Sequence, residues 1–501
     1  MAYERSPSAF AFTREYIFKH ALLHDVVYES VVRRLRRGYH REAANWLIAA
    51  GGDRAAEFAS QIAEHFVEAG DDVAAIEWLV RAGTEAKSTH APVAAAKAFG
   101  LALQLAAGTS DPAVAADRRA ALGGLGDVLT VQARYEEAVD TYRALRDDAA
   151  AEGDQLSVAR AESGIAAAET YQGHLRDAVD SALRAREAAR RGGERNEEAR
   201  AAWLQAWASL RLGMVAEATD LAADVLALSA DGDRAMCAEA LNLQGVIAYS
   251  GGSYDMATAH FDEAASVFEE IGNVEKVMPL LNNIGVIAEA RGDYESAEKS
   301  YREALAIARE TGSRDGELVY ASNLGGTLVA LGRAEEGESE LRRVIELATD
   351  GLSVLPETYR FLTDSLLAQG RVTEAAEAAV TSLRLALDSE APDYIAAAWR
   401  ALGQVASRSG GSVVVRLDRA PGSYDAEQCF AASMRTADEI DSDGDRARTL
   451  AAWAVHERRA GGPSDGGGRA ARARELFSGL GAEREVVRLD EALAVVGGVD
   501  R

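Results

Sequence analysis

Apolar residues recur at helical spacing through the middle of the chain, and glycines interrupt them at regular points. In the segment 278–312, Leu281, Ile284 and Ala288 fall on one side of a predicted helix. Gly292 breaks this stripe, a second apolar stripe follows, and Gly312 ends the second one. A glycine can adopt a positive φ and end a helix without the steric penalty of a Cβ atom. The segment therefore predicts two antiparallel helices joined by a tight turn.

This two-helix pattern repeats along the chain with an almost constant period. The turn glycines form two offset series whose members are 38 to 40 residues apart: Gly153, Gly193, Gly232, Gly272, Gly312 and Gly351, and Gly173, Gly213, Gly252, Gly292, Gly332 and Gly370. Such a period predicts a repeat array. An array of helical units offers an extended binding surface rather than a catalytic pocket.

Each unit also carries four small or apolar residues at constant offsets of 12, 4 and 3 residues. In the segment above they are Gly285, Ala297, Tyr301 and Ala304. The first members of the seven sets are Gly126, Ala166, Ala206, Gly245, Gly285, Gly325 and Thr363. A glycine inside a helix costs roughly 1 kcal/mol relative to alanine. We therefore expect Gly285 to permit a close approach of the two helices.

These residues resemble the tetratricopeptide repeat. The matching residues are Asn283-Ile284-Gly285, Gly292-Asp293-Tyr294, Ala297, and Tyr301 with Ala304-Leu305. The usual unit is about 34 residues long, so a period near 40 implies the longer variant that is typical of regulatory arms in bacterial and archaeal signalling proteins. The resemblance covers residues 110–410 best. It implies an all-α fold, a right-handed superhelical solenoid of tetratricopeptide-like hairpins.

The first hundred residues carry a different pattern. It consists of Phe18, His20, Leu22, Val27-Tyr28, Arg33-Arg34, Arg36-Arg37 and His40, followed by Ile62-Ala63, His65 and Trp78-Leu79. It resembles the segment that joins the nucleotide-binding part of AAA-like signal-transduction ATPases to their helical repeats, including ATPases fused to nucleotide cyclases or transcriptional regulators. Near the other end, Leu476-Phe477 and Leu480-Gly481-Ala482-Glu483 resemble the close of such arms.

The two resemblances together imply an order of domains along the chain. The expected parts are an N-terminal helical adaptor at 1–48, atypical first repeats at 49–109, a regular array at 110–410, an inserted loop at 411–424, and C-terminal repeats with capping helices at 425–501. The insert separates Gly403 from Ala426 by 23 residues instead of 12. Its β-branched run and Pro-Gly pair predict a surface loop or a short hairpin.

The phosphate-binding motif of those ATPases is missing from this sequence. The motif requires a lysine directly after a glycine, and none of the five lysines, Lys19, Lys87, Lys97, Lys276 and Lys299, follows one. The chain therefore resembles the C-terminal arm of such a protein without its ATPase module. Two hypotheses remain open: a stand-alone scaffold or sensor arm, and a fragment of an ATPase or cyclase whose catalytic part is missing or separately encoded.

Composition and motifs argue against several classes of function. The net charge of −26 argues against nonspecific nucleic-acid binding by the array. The sequence has no apolar run long enough to cross a membrane and no signal-peptide pattern at its start, so a cytoplasmic location is expected. It also lacks the common nucleophile and metalloprotease motifs, which predicts a protein that is not an enzyme and has no cofactor.

Two histidines near the start have a spacing that could hold a metal ion. His20 and His24 are four residues apart on a predicted helix. No third ligand lies nearby in sequence, and His20 occupies a packing position of the resembled family. We therefore predict no metal site.

The candidate partner site lies on the first helices of the repeats, which line the concave face of tetratricopeptide arrays. Counting from the packing residues places a set of aromatic, amide and charged side chains on that face: Trp207, Asn242, Tyr249, Asn282, Glu289 and Arg360. Aromatic anchors beside amides suit an extended peptide or protein segment. The alternative for Trp207 is packing between helices.

A basic cluster near the start is a second candidate surface. Its members are Arg33, Arg34, Arg36, Arg37 and Arg41. The cluster could dock an ATPase or cyclase module, or it could form an ordinary solvated helix face.

Overall fold

The computed structural model describes residues 2–5, 15–18, 21–109, 111–230, 232–348, 354–463 and 467–498. The chain divides into two compact units, Met1–Ala240 and Leu241–Arg501. Nearly all described residues are helical. Consecutive helices pack against one another as hairpins in both units. This architecture confirms the predicted all-α array of helical hairpins.

The helices of the first unit are α1 (Ala21–Ser30), α2 (Arg33–Gly51), α3 (Ala59–Ala69), α4 (Asp72–Ser88), α5 (Pro92–Ala106), α6 (Ala115–Val131), α7 (Tyr135–Glu152), α8 (Gln155–Gln172), α9 (Leu175–Gly192), α10 (Arg195–Arg211) and α11 (Val215–Ser229). Short 3-10 helices lie at Gly52–Phe58 and Pro112–Val114. The boundary between the units falls within α12 (Arg234–Ser250).

The further helices of the second unit are α13 (Tyr254–Glu270), α14 (Val274–Ala290), α15 (Tyr294–Thr311), α16 (Arg314–Ala330), α17 (Ala334–Leu347), α18 (Leu355–Ala368), α19 (Val372–Asp388), α20 (Pro392–Ser409), α21 (Ala426–Glu439), α22 (Asp443–Arg459), α23 (Gly467–Gly479) and α24 (Glu483–Gly498). Four short strands complete the described structure: β1 (Ala2–Arg5), β2 (Glu15–Phe18), β3 (Val413–Leu417) and β4 (Ala420–Tyr424).

The turn glycines end helices as predicted, with one exception. Ten of the twelve adopt left-handed backbone conformations, with φ between +72° and +81°. The prediction is wrong for Gly232, which has no positive φ. There α11 ends earlier, at Ser229, and Ala230 keeps a right-handed conformation after it. Gly351 lies outside the described residues.

The two helices of a hairpin meet at a joint formed by the first and third packing residues, 16 positions apart. A Cβ atom built on Gly285 would lie 2.5 Å from the ring of Tyr301, so the glycine provides the space that the ring fills. Gly245 has the same relation to Phe261. Where the first residue is alanine, as at Ala206, the third residue is alanine too. The predicted close approach is confirmed, and the sizes of the paired residues compensate each other.

The segment 411–424 contains a β-hairpin. Strands β3 and β4 pair antiparallel, with Val413 opposite Tyr424. Val413 and Val415 point into the core, whereas Val414 is exposed. After the hairpin the ring of Phe430 occupies the space beside Gly403, where a Cβ atom would lie 2.6 Å from it. The insertion lengthens the chain between the two helices but leaves their joint intact.

The opening segment differs in part from the predicted helices. Residues Glu15–Phe18 form β2, which pairs antiparallel with Ala2–Arg5, so a helical prediction is wrong there. The run Tyr16-Ile17-Phe18 is aromatic and β-branched, which favours a strand. His20 lies outside the described residues, as does the side chain of His24.

Three residues of the ATPase-like pattern come together between α1, α2 and α3. His40 Nδ1 lies 2.8 Å from His65 Nδ1, and the hydroxyl of Tyr28 lies 2.9 Å from His40 Nε2. Burial, followed by the neighbouring His40, lowers the pKa of His65. These motif residues therefore hold the first helices together.

Candidate functional site

A groove runs through the second unit and has a volume of about 960 Å³. Its walls are the inner faces of α14, α16, α18, α20 and α22, with α24 along one side. Side chains of three kinds line it: amides and tyrosines, apolar residues, and a set of charged groups. The charged groups are Glu289, Glu357, Asp364, Asp393, Asp445 and Glu485, and Arg360, Arg400, Arg408, Arg448, Arg459 and Arg488.

One part of the groove is lined by amides and an aromatic ring. Asn323 on α16 donates from Nδ2 to Oδ1 of Asn282 on α14, at 2.8 Å. Tyr249 lies at the end of α12, where its ring stacks on Tyr254 with centroids 5.6 Å apart. The Tyr249 side chain is 38% exposed. These groups offer donors, acceptors and a flat apolar surface to a ligand.

A carboxylate connects the groove to the packed interior. Glu289 accepts hydrogen bonds from Thr327 Oγ1 at 2.7 Å and from the Tyr301 hydroxyl at 3.0 Å. Tyr301 is the fully buried ring that fills the space beside Gly285. Burial raises the pKa of Glu289, although the two hydroxyl donors act in the opposite direction. The joint between α14 and α15 thus fixes a carboxyl group in the groove wall.

Ion pairs order the charged middle of the groove. Arg360 donates to Glu357 at 2.6 Å and to Asp364 at 2.8 Å, and its guanidinium lies 4.0 Å from the ring centre of Phe361. Burial raises the pKa of Asp364 despite this arginine. All of these groups lie on α18, where i, i+3 and i, i+4 spacing brings them together.

A second ion pair joins α20 to α22. Arg400 donates to Asp445 at 3.1 Å, and both side chains are largely buried. Burial alone would raise the pKa of Asp445, but the guanidinium groups of Arg400 and Arg448 lower it below its usual value. This carboxylate therefore stays ionised inside the groove.

The C-terminal helix α24 is attached along one side of the groove by polar contacts, which we call the α24 contact. The Tyr294 hydroxyl donates to Glu485 at 2.9 Å, and Arg488 lies 3.9 Å from the centre of the Tyr294 ring. Arg484 reaches Asp293 at 2.7 Å and Glu295 at 3.2 Å. The residues joined here are about 190 positions apart in sequence, so the contact links the turn before α15 to the end of the chain.

Four of the six residues predicted for the partner face line this groove: Tyr249, Asn282, Glu289 and Arg360. Asn242 does not line it, and its Oδ1 is buried without a hydrogen-bond partner. Trp207 belongs to the first unit, where its ring packs edge-on against Trp203 with centroids 6.2 Å apart. Both rings lie on α10, so this contact does not decide between partner binding and packing between helices. A partner-binding role for any of the six stays a prediction.

Two arginines of the basic cluster on α2 contact other residues, and the other three are exposed. Arg36 lies over the ring of Tyr28 at 4.7 Å, and Arg41 forms an ion pair with Asp71 at 3.2 Å. Arg33, Arg34 and Arg37 are exposed. Docking by this cluster stays a prediction.

Several groove residues were missed by the sequence reasoning. Arg400 precedes Gly403 by three positions, as Asn282 precedes Gly285, so the repeat count could have found it. Arg448, Arg459 and the residues of α24 carry no such signal. They lie beyond the β-hairpin, where the regular period is lost.

Within the described residues, no group of three or more histidine, cysteine, aspartate or glutamate side chains is arranged to hold a metal ion. In the same part of the chain, no helix is both long enough and apolar enough to cross a membrane.

Comparisons with known proteins bear on the fold. A family model described as tetratricopeptide repeat matches residues 236–310 and 276–350. No curated protein matches the chain. Among solved structures, the apo quorum sensor NprR from B. thuringiensis is 14% identical, with a TM-score of 0.49, and the alignment covers 70% of this chain and 98% of that one.

Two further solved structures are similar to parts of the chain. A signal-transduction ATPase with numerous domains from Pyrococcus horikoshii, which has a tetratricopeptide repeat sensor, is 14% identical, with a TM-score of 0.39. That alignment covers 79% of this chain and 55% of the other. BtubC from P. vanneervenii is 20% identical, with a TM-score of 0.39, over 42% of this chain and 90% of that one. Together with the hairpin packing, the family match establishes that residues 236–350 are tetratricopeptide repeats.

Proposed function

We propose that this chain is a protein-interaction scaffold, a regulatory sensor arm that binds a peptide or protein segment in the groove of its second unit. The observation that carries the proposal is the amide pair Asn282–Asn323 beside Tyr249 in the groove wall. An amide side chain both donates and accepts, so it can bond the N–H and C=O groups of an extended backbone. A tyrosine adds rigid contact area at low entropic cost.

The charged groups of the groove support a binding role rather than a catalytic one. Arginine or hydroxyl donors hold Glu289, Asp364 and Asp445 in place. Carboxylates bonded in this way set the local field and shape of the wall. We therefore propose that the chain is not an enzyme and acts by presenting a preformed surface.

The opening segment suggests how binding would be used. Its resemblance to the linker of signal-transduction ATPases supports coupling to an ATPase or cyclase module, with the exposed Arg33, Arg34 and Arg37 as the proposed docking face. Partner binding by the array would then be reported to that module. The alternative hypothesis, a fragment of an ATPase or cyclase whose catalytic part is missing or separately encoded, predicts an in-frame ATPase or cyclase segment in the neighbouring upstream DNA.

The experiment is a selection of random peptides displayed on phage against the full chain. The test variant combines Asn282→Ala with Asn323→Ala, and the matched control combines Asn196→Ala with Asn273→Ala, two exposed amides outside the groove. We expect the double variant to weaken binding of selected peptides roughly tenfold, which is typical for losing a few well-placed hydrogen bonds. The control should bind like the wild type.

Two results would contradict the proposal. Peptides that bind the double variant as tightly as the wild type would show that the groove is not the binding site. ATP binding by the purified chain, measured by calorimetry, would contradict a non-catalytic array without the phosphate-binding motif.

A further inference from the structure

One end of the second-unit groove holds two arginines without a carboxylate partner. Arg408 ends α20 and Arg459 ends α22, and both side chains line the groove. Among the described residues, no aspartate or glutamate lies within ion-pair distance of either guanidinium. We call this site the arginine corner and include in it Ser407 and His456, which lie between the two helix ends.

The corner is organised by hydrogen bonds. Arg459 donates from Nη1 to Ser407 Oγ at 3.0 Å, and His456 Nδ1 lies 2.9 Å from the same oxygen. The Ser407 side chain is buried. Burial, followed by the nearby guanidinium of Arg408, lowers the pKa of Arg459, and both arginine side chains remain exposed to solvent.

Stabilisation of helix ends does not account for the corner. Cations near a helix C-terminus interact favourably with its last carbonyl groups. Within the described structure, however, neither Arg408 nor Arg459 donates a hydrogen bond to a backbone carbonyl, and Arg459 bonds to Ser407 instead.

The charge balance of the groove differs from that of the chain. The whole chain has 54 lysines and arginines against 80 aspartates and glutamates. The groove lining has six arginines and six carboxylates. Three of the six carboxylates, Glu357, Asp364 and Asp445, are bonded to Arg360 or Arg400. Arginine is thus enriched in the groove, and among the described residues Arg408, Arg448 and Arg459 form no ion pair, the first and the last of them at the same end of the groove.

We infer that the arginine corner binds the acidic side chains or terminal carboxylate of a peptide whose backbone lies along the groove. This inference rests on the proposed function and adds the chemistry of the ligand. The guanidinium fork matches the geometry of a carboxylate and can bond it through two N–H groups. The acidic part of the peptide would lie at α20 and α22, and the part near Asn282 and Asn323 would need no charge.

The acidic character of the chain makes the corner selective. An acidic peptide is repelled by the surface as a whole, but charges separated by more than about 8 Å are largely screened at physiological salt. Contacts inside the groove are screened less. Only in a peptide that places its carboxylates on Arg408 and Arg459 does the attraction to these arginines exceed the repulsion by the acidic surface.

The test uses peptides selected on the full chain in the display experiment. Each is synthesised in its original form and with every aspartate and glutamate replaced by the amide. Affinities are measured by fluorescence anisotropy for the wild type and for the variant Arg408→Gln with Arg459→Gln. The control variant, Arg416→Gln with Arg435→Gln, removes the same charge from exposed positions outside the groove.

We expect the acidic peptides to bind the wild type about tenfold more tightly than their amide forms, as charge-assisted hydrogen bonds to arginine would give. The preference should disappear in the Arg408/Arg459 variant and persist in the control. Amide peptides should bind the wild type and both variants equally. Binding in phosphate and in chloride of equal ionic strength should also be equal.

The outcomes separate this inference from the proposed function. If no peptide is enriched at all, the proposed function fails and the inference fails with it. If peptides are enriched and depend on Asn282 and Asn323 but show no acidic preference, only the inference fails. It also fails if the preference survives in the Arg408/Arg459 variant. Strong competition by inorganic phosphate alone would show a small-anion site in place of a peptide site.

Discussion

The two units use the same hairpin but close its joints with residues of different size. In the first unit, the joints of α8 with α9 and of α10 with α11 pair alanine with alanine, at Ala166–Ala182 and Ala206–Ala222. In the second unit, the joint of α14 with α15 pairs Gly285 with the ring of Tyr301. The alanine joints bury only methyl groups. The ring joint delivers a hydroxyl to the groove wall, where it holds Glu289.

The comparison shows how a repeat changes the polar groups on its inner face without changing its fold. Exchanging two alanines for a glycine and a tyrosine fills a similar space but adds one directed hydrogen bond. Tyr142 does the same in the first unit, where it fills the space beside Gly126 and donates to Asp127 at 2.7 Å. A tyrosine joint therefore holds a carboxyl group through its hydroxyl, as at Tyr301 and Tyr142, whereas the phenylalanine and alanine joints supply no hydroxyl of their own.

The largest expected effect comes from converting the ring joint into an alanine joint. Tyr301→Ala should lower the free energy of unfolding by about 3–5 kcal/mol, because it leaves a cavity and removes a donor to Glu289. Gly285→Ala should cost about 1–3 kcal/mol, because its Cβ atom overlaps the ring. In the double variant the new methyl group enters the space that the ring has left. The loss of unfolding free energy in the double variant should therefore be clearly smaller than the sum of the losses in the two single variants.

Urea denaturation of the wild type, both single variants and the double variant measures this coupling. Ala206→Gly in an alanine joint is the control and should cost at least the roughly 1 kcal/mol of a helical glycine. Additivity of the two substitutions within about 0.5 kcal/mol would contradict the size compensation.

A smaller expected effect is the pH dependence of stability, which should differ between two carboxylates of the groove. Glu289, held by the ring joint, has its pKa raised above the 4.5 of a free side chain, chiefly by burial. Its contribution to stability is fully present below pH 4.5 and is lost as the pH rises through the folded pKa. Glu289→Gln should therefore stabilise the fold relative to wild type at pH 7, and this advantage should shrink as the pH falls towards 4.5.

Asp445 should behave in the opposite way. Arg400 and Arg448 outweigh burial and lower its pKa below 3.8, so its contribution is present above that pH and is lost as the pH falls through the folded pKa. Asp445→Asn should cost about 1–3 kcal/mol at pH 7, because a buried donor loses its partner. Unfolding midpoints from about pH 2.5 to pH 7 compare the two variants, because the Asp445 contribution changes only below about pH 4, and pH dependences of the same sign would contradict the assignment.

Periodicity in the sequence specified the fold because each joint needs a particular size of residue at a particular offset. Gly285 and Tyr301 could be placed in this way, and Asn282 and Glu289 followed from the same count. Arg448, Arg459 and Glu485 could not be placed, because the β-hairpin and the altered helix lengths after it remove the period. Ion pairs such as Arg400–Asp445 also depend on side-chain direction, which spacing alone does not determine. The strand at Glu15–Phe18 was missed because its apolar residues fit a helical stripe equally well.

The smallest expected effect concerns the α24 contact. This contact involves Tyr294, the first residue of α15, which is also the helix that carries the ring of Tyr301. Arg484→Ala removes the pairs with Asp293 and Glu295, both at the surface, so the loss of stability should be about 0.2–1 kcal/mol. Hydrogen exchange should nevertheless become faster in α24, because the helix loses a tether to a distant part of the unit. Arg472→Ala is the control, since Arg472 pairs only with Glu475 on its own helix, and it should leave the exchange of α24 unchanged. Equal acceleration of α24 in both variants would show that the surface pairs of Arg484 do not hold this helix, and that Tyr294 with Glu485 and the apolar contacts of Leu489 are sufficient.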